Sequence, residues 1–187
     1  MEEKIIKKNK IALDLDGVIA DSHSIVENEV LSMGYKMASE TYKPVIFGIN
    51  DSEDFIMDIV DDIFINKMDI IKPYDMIHET LMDLNSRFKI DVVTARSPKH
   101  NLSTLKWFVE NFPELPFKLV NKEADEKAQF IKDNGYVYFV EDRLSTANQA
   151  AELGIKTFLI YRRWNTGRRT HQNVTRINHL QDILSYI

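Results

Sequence analysis

Short apolar runs recur along the chain and alternate with longer segments in which apolar residues fall at helical spacing. The runs lack strict polar alternation, which is typical of strands buried on both faces of a sheet. They cover residues 11–13, 88–95, 117–121, 136–140 and 155–161. The intervening pattern predicts helices at 100–112, 123–135 and 145–154, and a closing helix at 179–187. The alternation therefore predicts an α/β protein whose parallel sheet carries helices on both faces.

Residues 21–74 do not follow this alternation. They are acidic, rich in aromatic residues and Met, and show helical spacing at 23–35 and 51–71. A third helix is predicted at 75–87. Because the segment directly follows the first strand, we interpret residues 21–74 as a small helical cap. It is inserted into a core made of residues 1–20 and 75–187.

Composition narrows the class of protein. The chain has 187 residues, enough for one domain with an insert, and no cysteine, which excludes disulfides and thiolate chemistry. Its formal net charge of −5 disfavours non-specific binding to nucleic acid. No apolar run approaches the length of a membrane span, and MEEKIIKKNK lacks the apolar core of a signal peptide. We expect a cytoplasmic protein with no membrane partner, and a homodimer stays open.

Polar residues stand where three of the predicted strands end. Ligands of open parallel sheets bind beyond these carboxyl ends, so the side chains there are candidates for a site. They are Asp14 and Asp16 after the first strand, Thr94, Ala95 and Arg96 after the second, and Glu141, Asp142 and Arg143 after the fourth. Carboxylates that converge in this way repel one another unless a cation lies among them. Mg²⁺, which prefers oxygen ligands, is the cation that we expect.

Four of these stretches carry a family resemblance. DLDGV at 14–18, VTAR at 93–96, Lys127 and VEDR at 140–143 resemble, in order, the four motifs of the haloacid dehalogenase (HAD) superfamily of phosphohydrolases. The resemblance covers about 130 residues. It implies a Rossmann-like core, Mg²⁺ as cofactor and a mechanism through an aspartyl-phosphate.

The resemblance also implies a role for each residue. Asp14 would be the nucleophile and Asp16 the general acid and base. Thr94 and the backbone N–H groups of Ala95 and Arg96 would hold the phosphate. The remaining roles are charge neutralisation by Lys127, metal binding by Asp142, Asp14 and the carbonyl of Asp16, and support of the metal through water by Glu141. An acid at position 16 favours phosphatase over dehalogenase chemistry, because an alkoxide leaving group needs a proton and a halide does not.

The sequence alone leaves the roles of several residues open. Lys122 and Lys106 compete with Lys127 for the lysine role, and Glu141 and Asp142 could exchange roles. Arg96 and Arg143 are either phosphate contacts or ion-pair partners of the acids. The five histidines lack metal-binding spacing and are expected at the surface. The acids of the predicted cap helix, Asp58, Asp61 and Asp62, are expected on a solvated face.

The substrate is a finer question. AAELGIKTFLIYRRWN, with Arg162, Arg163, Trp164 and Asn165 at its end, is most similar to the 5′-nucleotidase type C group, the 5′(3′)-deoxyribonucleotidases and their bacterial relatives. That resemblance implies a nucleoside monophosphate as substrate. The chain departs from the group after the first motif, where Ser22 and His23 replace an aromatic residue. Stacking on a base would then fall to one of four aromatic residues, Tyr42, Phe47, Phe55 or Tyr74.

Three alternatives to the nucleotidase remain. One is another small-molecule phosphatase, for example for a sugar phosphate. Another is a nucleic-acid end phosphatase that uses the basic segment 161–176, which is otherwise a solvated loop. The third is a catalytically weak member of the family used for binding or regulation.

Overall fold

A computed structural model describes residues 8–38, 45–46 and 52–187 of the chain. The strands in these ranges are β1 (Lys10–Leu13), β2 (Met37–Ala38), β3 (Val45–Ile46), β4 (Lys89–Thr94), β5 (Lys118–Asn121), β6 (Tyr136–Glu141), β7 (Lys156–Ile160) and β8 (Val174–Ile177). The helices are α1 (Ser22–Ser32), α2 (Ser52–Asn66), α3 (Ile77–Arg87), α4 (Asn101–Asn111), α5 (Lys127–Asp133) and α6 (Leu144–Glu152). Short 3₁₀ turns lie at Met68–Ile70, Pro98–His100, Arg163–Asn165 and Leu180–Ser185.

Six parallel strands form the main sheet in the order β5-β4-β1-β6-β7-β8. β1 is central, with β4 on one side and β6 on the other. The carboxyl ends of these three strands therefore lie side by side at one edge of the sheet. This is the edge at which the sequence places its polar residues.

The side chains of β1 show why the sheet needs cover on both faces. Ile11 and Leu13 belong to one hydrophobic cluster, which includes residues of α3 and α4. Ala12 points the other way and belongs to a second cluster, which includes residues of α5 and α6. All three side chains are fully buried. The predicted α/β fold, a parallel sheet with helices on both faces, is confirmed.

The insertion after β1 contains α1, the antiparallel pair β2–β3 and α2. The two-residue strands are a difference from the all-helical cap that the pattern predicts. Val30 of α1 and Ile63 of α2 are fully buried and belong to the same hydrophobic cluster as Ile11 of the sheet. Apolar packing thus continues from the sheet into the insertion, and the division into core and cap stays a prediction.

The structure also differs from the predicted secondary structure in one strand and two helices. β8 begins inside the basic segment 161–176, which the pattern assigns to a loop, and ends one residue beyond it. The predicted closing helix is a 3₁₀ turn at Leu180–Ser185. α5 begins at Lys127, four residues later than predicted. No helix in the described part of the chain is long and apolar enough to cross a membrane.

Candidate active site

Asp14 follows β1 directly and is held at the edge of the sheet. Its backbone N–H donates to the carbonyl oxygen of Val140 in β6 (2.9 Å), which extends the strand pairing by one residue. Its Oδ1 accepts a hydrogen bond from the N–H of Leu15 (2.8 Å) and lies 2.8 Å from Nζ of Lys127. Both charged side chains are buried. They form an ion pair at the end of the central strand.

Lys127, the first residue of α5, also contacts Oε2 of Glu141 at 3.2 Å. Oε1 of Glu141 accepts hydrogen bonds from the backbone N–H groups of Asp142 (3.1 Å) and Arg143 (3.0 Å). Burial alone would raise the pKa of Glu141, but Lys127 and hydrogen bonds with the side chains of Asp14 and Asp142 and the backbone of Arg143 outweigh burial and lower that pKa. The two carboxylates in turn raise the pKa of Lys127 despite its burial. Glu141 is therefore a carboxylate whose charge the protein itself compensates.

Asp142 is fully buried, and its charge is less well compensated than that of Glu141. Its Oδ2 accepts a hydrogen bond from the indole N–H of Trp164 (3.0 Å), while its Oδ1 has no hydrogen-bond partner among the described residues. Burial, Glu141 and Asp14 raise the pKa of Asp142. Burial and Glu141 likewise raise the pKa of Asp14, against the opposing effect of Lys127.

One carboxylate oxygen from each of Asp14, Glu141 and Asp142 lies within 4.8 Å of the other two. We call these three residues the acid cluster. Three carboxylates face one ammonium group here, so the cluster has an excess of negative charge. The buried, unpartnered Oδ1 of Asp142 is also an atom that a cation would satisfy. A set of carboxylate oxygens alone suits Mg²⁺, Ca²⁺ or Mn²⁺, and the cluster fits such an ion.

Asp16 is compensated by a different cation, Arg96. The guanidinium holds both carboxylate oxygens, Nε to Oδ2 at 2.8 Å and Nη2 to Oδ1 at 2.6 Å. Arg96 outweighs the effect of burial and lowers the pKa of Asp16. Nη1 of Arg96 donates to Oγ1 of Thr104 (3.0 Å), and the guanidinium lies 3.7 Å from the ring centroid of Phe64 in α2. The acids after β1 are thus paired with Lys127 and Arg96.

The turn after β1 can approach Asp142 closely because position 17 is glycine. Gly17 has a φ of +77°, in the left-handed region that glycine adopts without strain. A Cβ at this position would overlap Oδ2 of Asp142. The turn therefore packs directly against the second acid of the fourth motif.

Thr94 ends β4 and is buried beside the same edge. Its Oγ1 accepts a hydrogen bond from the N–H of Arg96 (3.2 Å), and Nδ2 of Asn121 in β5 donates to the carbonyl oxygen of Arg96 (2.8 Å). Ala95, between them, is exposed. The chain after β4 is held by its neighbours on both sides, with one residue open to solvent.

Comparison with known proteins gives matches among structures only. No family model and no curated protein matches the sequence. A provisionally named phosphoglycolate phosphatase of Lactobacillus plantarum has a TM-score of 0.65 at 13% identity, over 97% of this chain and 100% of that chain. A haloacid dehalogenase-like hydrolase of Streptococcus pneumoniae has a TM-score of 0.62 at 15% identity, over 96% and 98%. CbbY of Rhodobacter sphaeroides, solved with phosphate, has a TM-score of 0.56 at 10% identity, over 94% of this chain and 96% of that chain.

The fold is that of the haloacid dehalogenase-like hydrolases. At these identities the likeness concerns the architecture, in which the six-stranded parallel sheet of the HAD core is shared. The three structures do not include a protein described as a nucleotidase. The resemblance to the 5′-nucleotidase type C group stays a prediction.

Within this HAD fold, the geometry separates the three candidate lysines. Lys127 contacts Asp14 directly. Lys122 lies 3.9 Å from Glu126, and Lys106 lies 3.7 Å from Glu110 on the exposed side of α4. Lys127 is therefore the candidate that lies at the acid cluster, and its role toward a phosphate stays a prediction.

Sequence reasoning missed the residues that support the acids. Trp164 and Asn165 were noted for a family resemblance and not as part of a site. They follow β7, another strand that ends at the same edge, so inspecting every strand end would have found them. Phe64 and Thr104 also contact Arg96. Phe64 lies 32 residues away on α2, and no motif marks either residue as a partner of the arginine.

One prediction about polar residues is wrong. His100 is not at the surface: it is buried, its Nε2 lies 2.9 Å from Oδ1 of Asp61, and burial lowers its pKa. Asp61, which is predicted on a solvated face with Asp58 and Asp62, is half-exposed, and its carboxylate also pairs with Lys99. These contacts join α2 to the start of α4.

The basic segment 161–176 is only partly a solvated loop. Arg162 donates from Nε to the carbonyl oxygen of Gly17 (2.9 Å) and lies over the ring of Tyr74 at 4.1 Å. Arg176, in β8, donates to Oδ1 of Asn165 at 3.1 Å. Arg168 and Arg169 are exposed. Part of the segment is therefore structural, and part remains available to solvent.

Proposed function

We propose that the protein is a Mg²⁺-dependent phosphatase that hydrolyses a small phosphomonoester through an aspartyl-phosphate on Asp14. One observation carries the proposal. A carboxylate, a lysine and two further acids meet at the ends of β1 and β6, beside the hydroxyl of Thr94 at the end of β4. Together with Asp16, two residues after Asp14, this set contains a nucleophile, a proton carrier and donors for an oxyanion.

In the proposed reaction an oxygen of Asp14 attacks phosphorus, and the bond from phosphorus to the ester oxygen breaks. Lys127 favours the ionised form of Asp14 and offsets charge on the phosphoryl group. The hydroxyl of Thr94 and the N–H of Ala95 donate to the phosphoryl oxygens. Bound at Asp14 and Asp142, Mg²⁺ would supply the positive charge that brings the nucleophile and the phosphate together.

Asp16 gives its proton to the leaving ester oxygen. It then takes a proton from the water that attacks the aspartyl-phosphate, and inorganic phosphate is released. In the present geometry Arg96 holds both oxygens of Asp16 and favours its ionised form. Asp16 can therefore take up the proton that it gives to the ester oxygen only after this contact opens. A phosphate dianion competes for the same guanidinium, because arginine binds phosphate with the bidentate geometry that it uses for a carboxylate. Arg96 is therefore proposed as a phosphate contact that leaves Asp16 when substrate arrives.

For the substrate we propose a nucleoside monophosphate, on the strength of the segment ending in Arg162, Trp164 and Asn165. Of the proposed stacking residues, Tyr42 and Phe47 lie outside the described residues. Phe55 packs against Tyr35, with ring centroids 5.5 Å apart.

Tyr74 is the better placed of the two described candidates. It is half-buried, it lies under the guanidinium of Arg162, and Arg162 contacts the turn at Gly17. Base stacking on an aromatic side chain is worth about 1–3 kcal/mol. Tyr74 is thus the residue that we expect to distinguish nucleotides from other esters.

A sugar phosphate or a similar small acid is the second candidate. It is favoured by a structural neighbour whose provisional name is phosphoglycolate phosphatase. A nucleic-acid end phosphatase would instead need the exposed arginines of the basic segment, Arg168 and Arg169.

The test is the rate of phosphate release from a panel of esters, with Mg²⁺ and with EDTA. The panel contains dUMP, dTMP, ribose 5-phosphate, phosphoglycolate and a 3′-phosphorylated oligonucleotide, and Asp14→Asn is the inactive control. We expect activity with Mg²⁺ alone and the highest kcat/KM for a nucleotide. A tenfold preference for the sugar phosphate would refute the nucleotidase and keep the phosphatase. Activity on none of the esters would refute both.

A further inference from the structure

The segment after β7 contacts two parts of the site at once. Residues 162–165, which we call the clamp segment, place Trp164 against Oδ2 of Asp142 and Arg162 against the carbonyl oxygen of Gly17. Asn165 completes the contacts: its Nδ2 donates to the carbonyl oxygens of Asp142 (2.8 Å) and Ile160 (2.8 Å). The clamp segment therefore fixes both the backbone and the side chain of one acid.

The clamp segment is itself well anchored. Asn165 is fully buried, and its Oδ1 accepts hydrogen bonds from Nη1 of Arg176 (3.1 Å) and from the N–H of Arg162 (3.3 Å). Trp164 is 9% exposed, and the ring of His23 in α1 stacks on it with centroids 4.1 Å apart. The indole has little freedom to turn away from Asp142.

The hydrogen bond from Trp164 gives the two carboxylate oxygens of Asp142 different surroundings. Oδ2 lies between the indole N–H and the backbone of Gly17, where there is no room for a Cβ. Oδ1 has no hydrogen-bond partner among the residues that the structure describes. Because Oδ2 is enclosed in this way, Oδ1 is the oxygen that Asp142 can offer to a cation, and the hydrogen bond to Oδ2 fixes its direction.

We propose that Trp164 is a positioning residue for the divalent metal ion. Its N–H holds Oδ2 of Asp142 so that Oδ1 faces Asp14, and Asn165 fixes the backbone from which that side chain projects. The inference rests on the proposed Mg²⁺ site and goes beyond it, because it names the residues that orient a ligand without touching the ion. Outer partners of this kind are typically worth 10–100-fold in metal affinity.

The matched variants are Trp164→Phe and Trp107→Phe. The chain has two tryptophans, and each donates its indole N–H to one buried oxygen, Trp107 to the carbonyl oxygen of Ile71 at 2.8 Å. Each variant removes one buried N–H and keeps an aromatic ring. Only Trp164 contacts an acid of the cluster.

The measurement is the dissociation constant of Mn²⁺, followed by the electron paramagnetic resonance signal of the free ion, with thermal unfolding recorded alongside. We expect Trp164→Phe to bind Mn²⁺ at least about tenfold more weakly than wild type. Trp107→Phe should bind with wild-type affinity even where its Tm falls. Binding by Trp164→Phe within twofold of wild type would overturn the proposal.

A second readout does not depend on the folding of Trp164→Phe. Trp107→Phe retains Trp164 as its single tryptophan, so the emission of this variant reports on the indole beside Asp142. Saturating Mn²⁺ should change that emission. No change at Trp164 on metal binding would overturn the proposal. A wild-type protein that binds no Mn²⁺ would instead refute the proposed metal-dependent function.

Discussion

Replacing Lys127 by methionine should destabilise the metal-free protein strongly. The ammonium lies 2.8 Å from Asp14 and 3.2 Å from Glu141 in a buried site. At an effective dielectric constant of about 20 these two contacts correspond to gross attractions of about 6 and about 5 kcal/mol. Desolvation of the charges offsets most of that, and removing one partner of a buried ion pair typically costs about 3–5 kcal/mol. We expect a loss of this size, because Lys127→Met leaves the acid cluster without its lysine.

The assay is urea-induced unfolding followed by circular dichroism, in EDTA and again in saturating Mg²⁺. The control is Lys122→Met, which removes a half-exposed lysine 3.9 Å from Glu126, a contact worth at most about 1 kcal/mol. Mg²⁺ should stabilise Lys127→Met more than wild type, because the ion then binds three carboxylates with no competing ammonium. A loss no larger than that of Lys122→Met would refute the reasoning, as would equal stabilisation of both proteins by Mg²⁺.

Three further outcomes are expected. Asp14→Asn should abolish phosphate release, because an amide is a far poorer nucleophile and a poorer metal ligand; turnover close to wild type would exclude the covalent mechanism. Asp16→Asn should lower kcat by about 10²–10⁴-fold yet keep most of the Mn²⁺ affinity, whereas Asp142→Asn should lose affinity; equal large losses in a metal titration would contradict these separate roles. Asp61→Asn should cost about 0.2–1 kcal/mol in urea unfolding at neutral pH. The hydrogen bond from Lys99 contributes most to lowering the pKa of Asp61, so this carboxylate stabilises the fold above its unfolded pKa and the difference should fade below about pH 4. A constant difference down to that pH would contradict it.

The sheet and most of the site residues could be predicted because their signals are local. A strand buried on both faces must be apolar, so the run at residues 11–13 and those like it stand out from the helices. The strand-end rule then brings Asp14 and Asp142 together without any structure. Glycine at position 17 is also readable, since a sharp turn after an acid favours a residue that tolerates positive φ.

The rest depends on contacts between distant parts of the chain. Arg96 pairs with Asp16, 80 residues away, and the sequence left open whether this arginine would face phosphate or acid. His100 and Asp61 have no pattern that marks them as partners. β8 is short and lies among basic residues, so its apolar positions, Val174 and Ile177, are too few to reveal a strand.

The central place of β1 has a consequence for how the molecule opens. Its amides are paired on both sides, and the N–H of Asp14 itself donates to Val140. Such amides exchange their protons with solvent only when the whole sheet comes apart, whereas surface helices exchange through small local openings. Asp14, the proposed nucleophile, is therefore attached to a part of the chain where we expect slow hydrogen exchange. Surface helices can then open locally while the carboxylate that is proposed to react keeps its place.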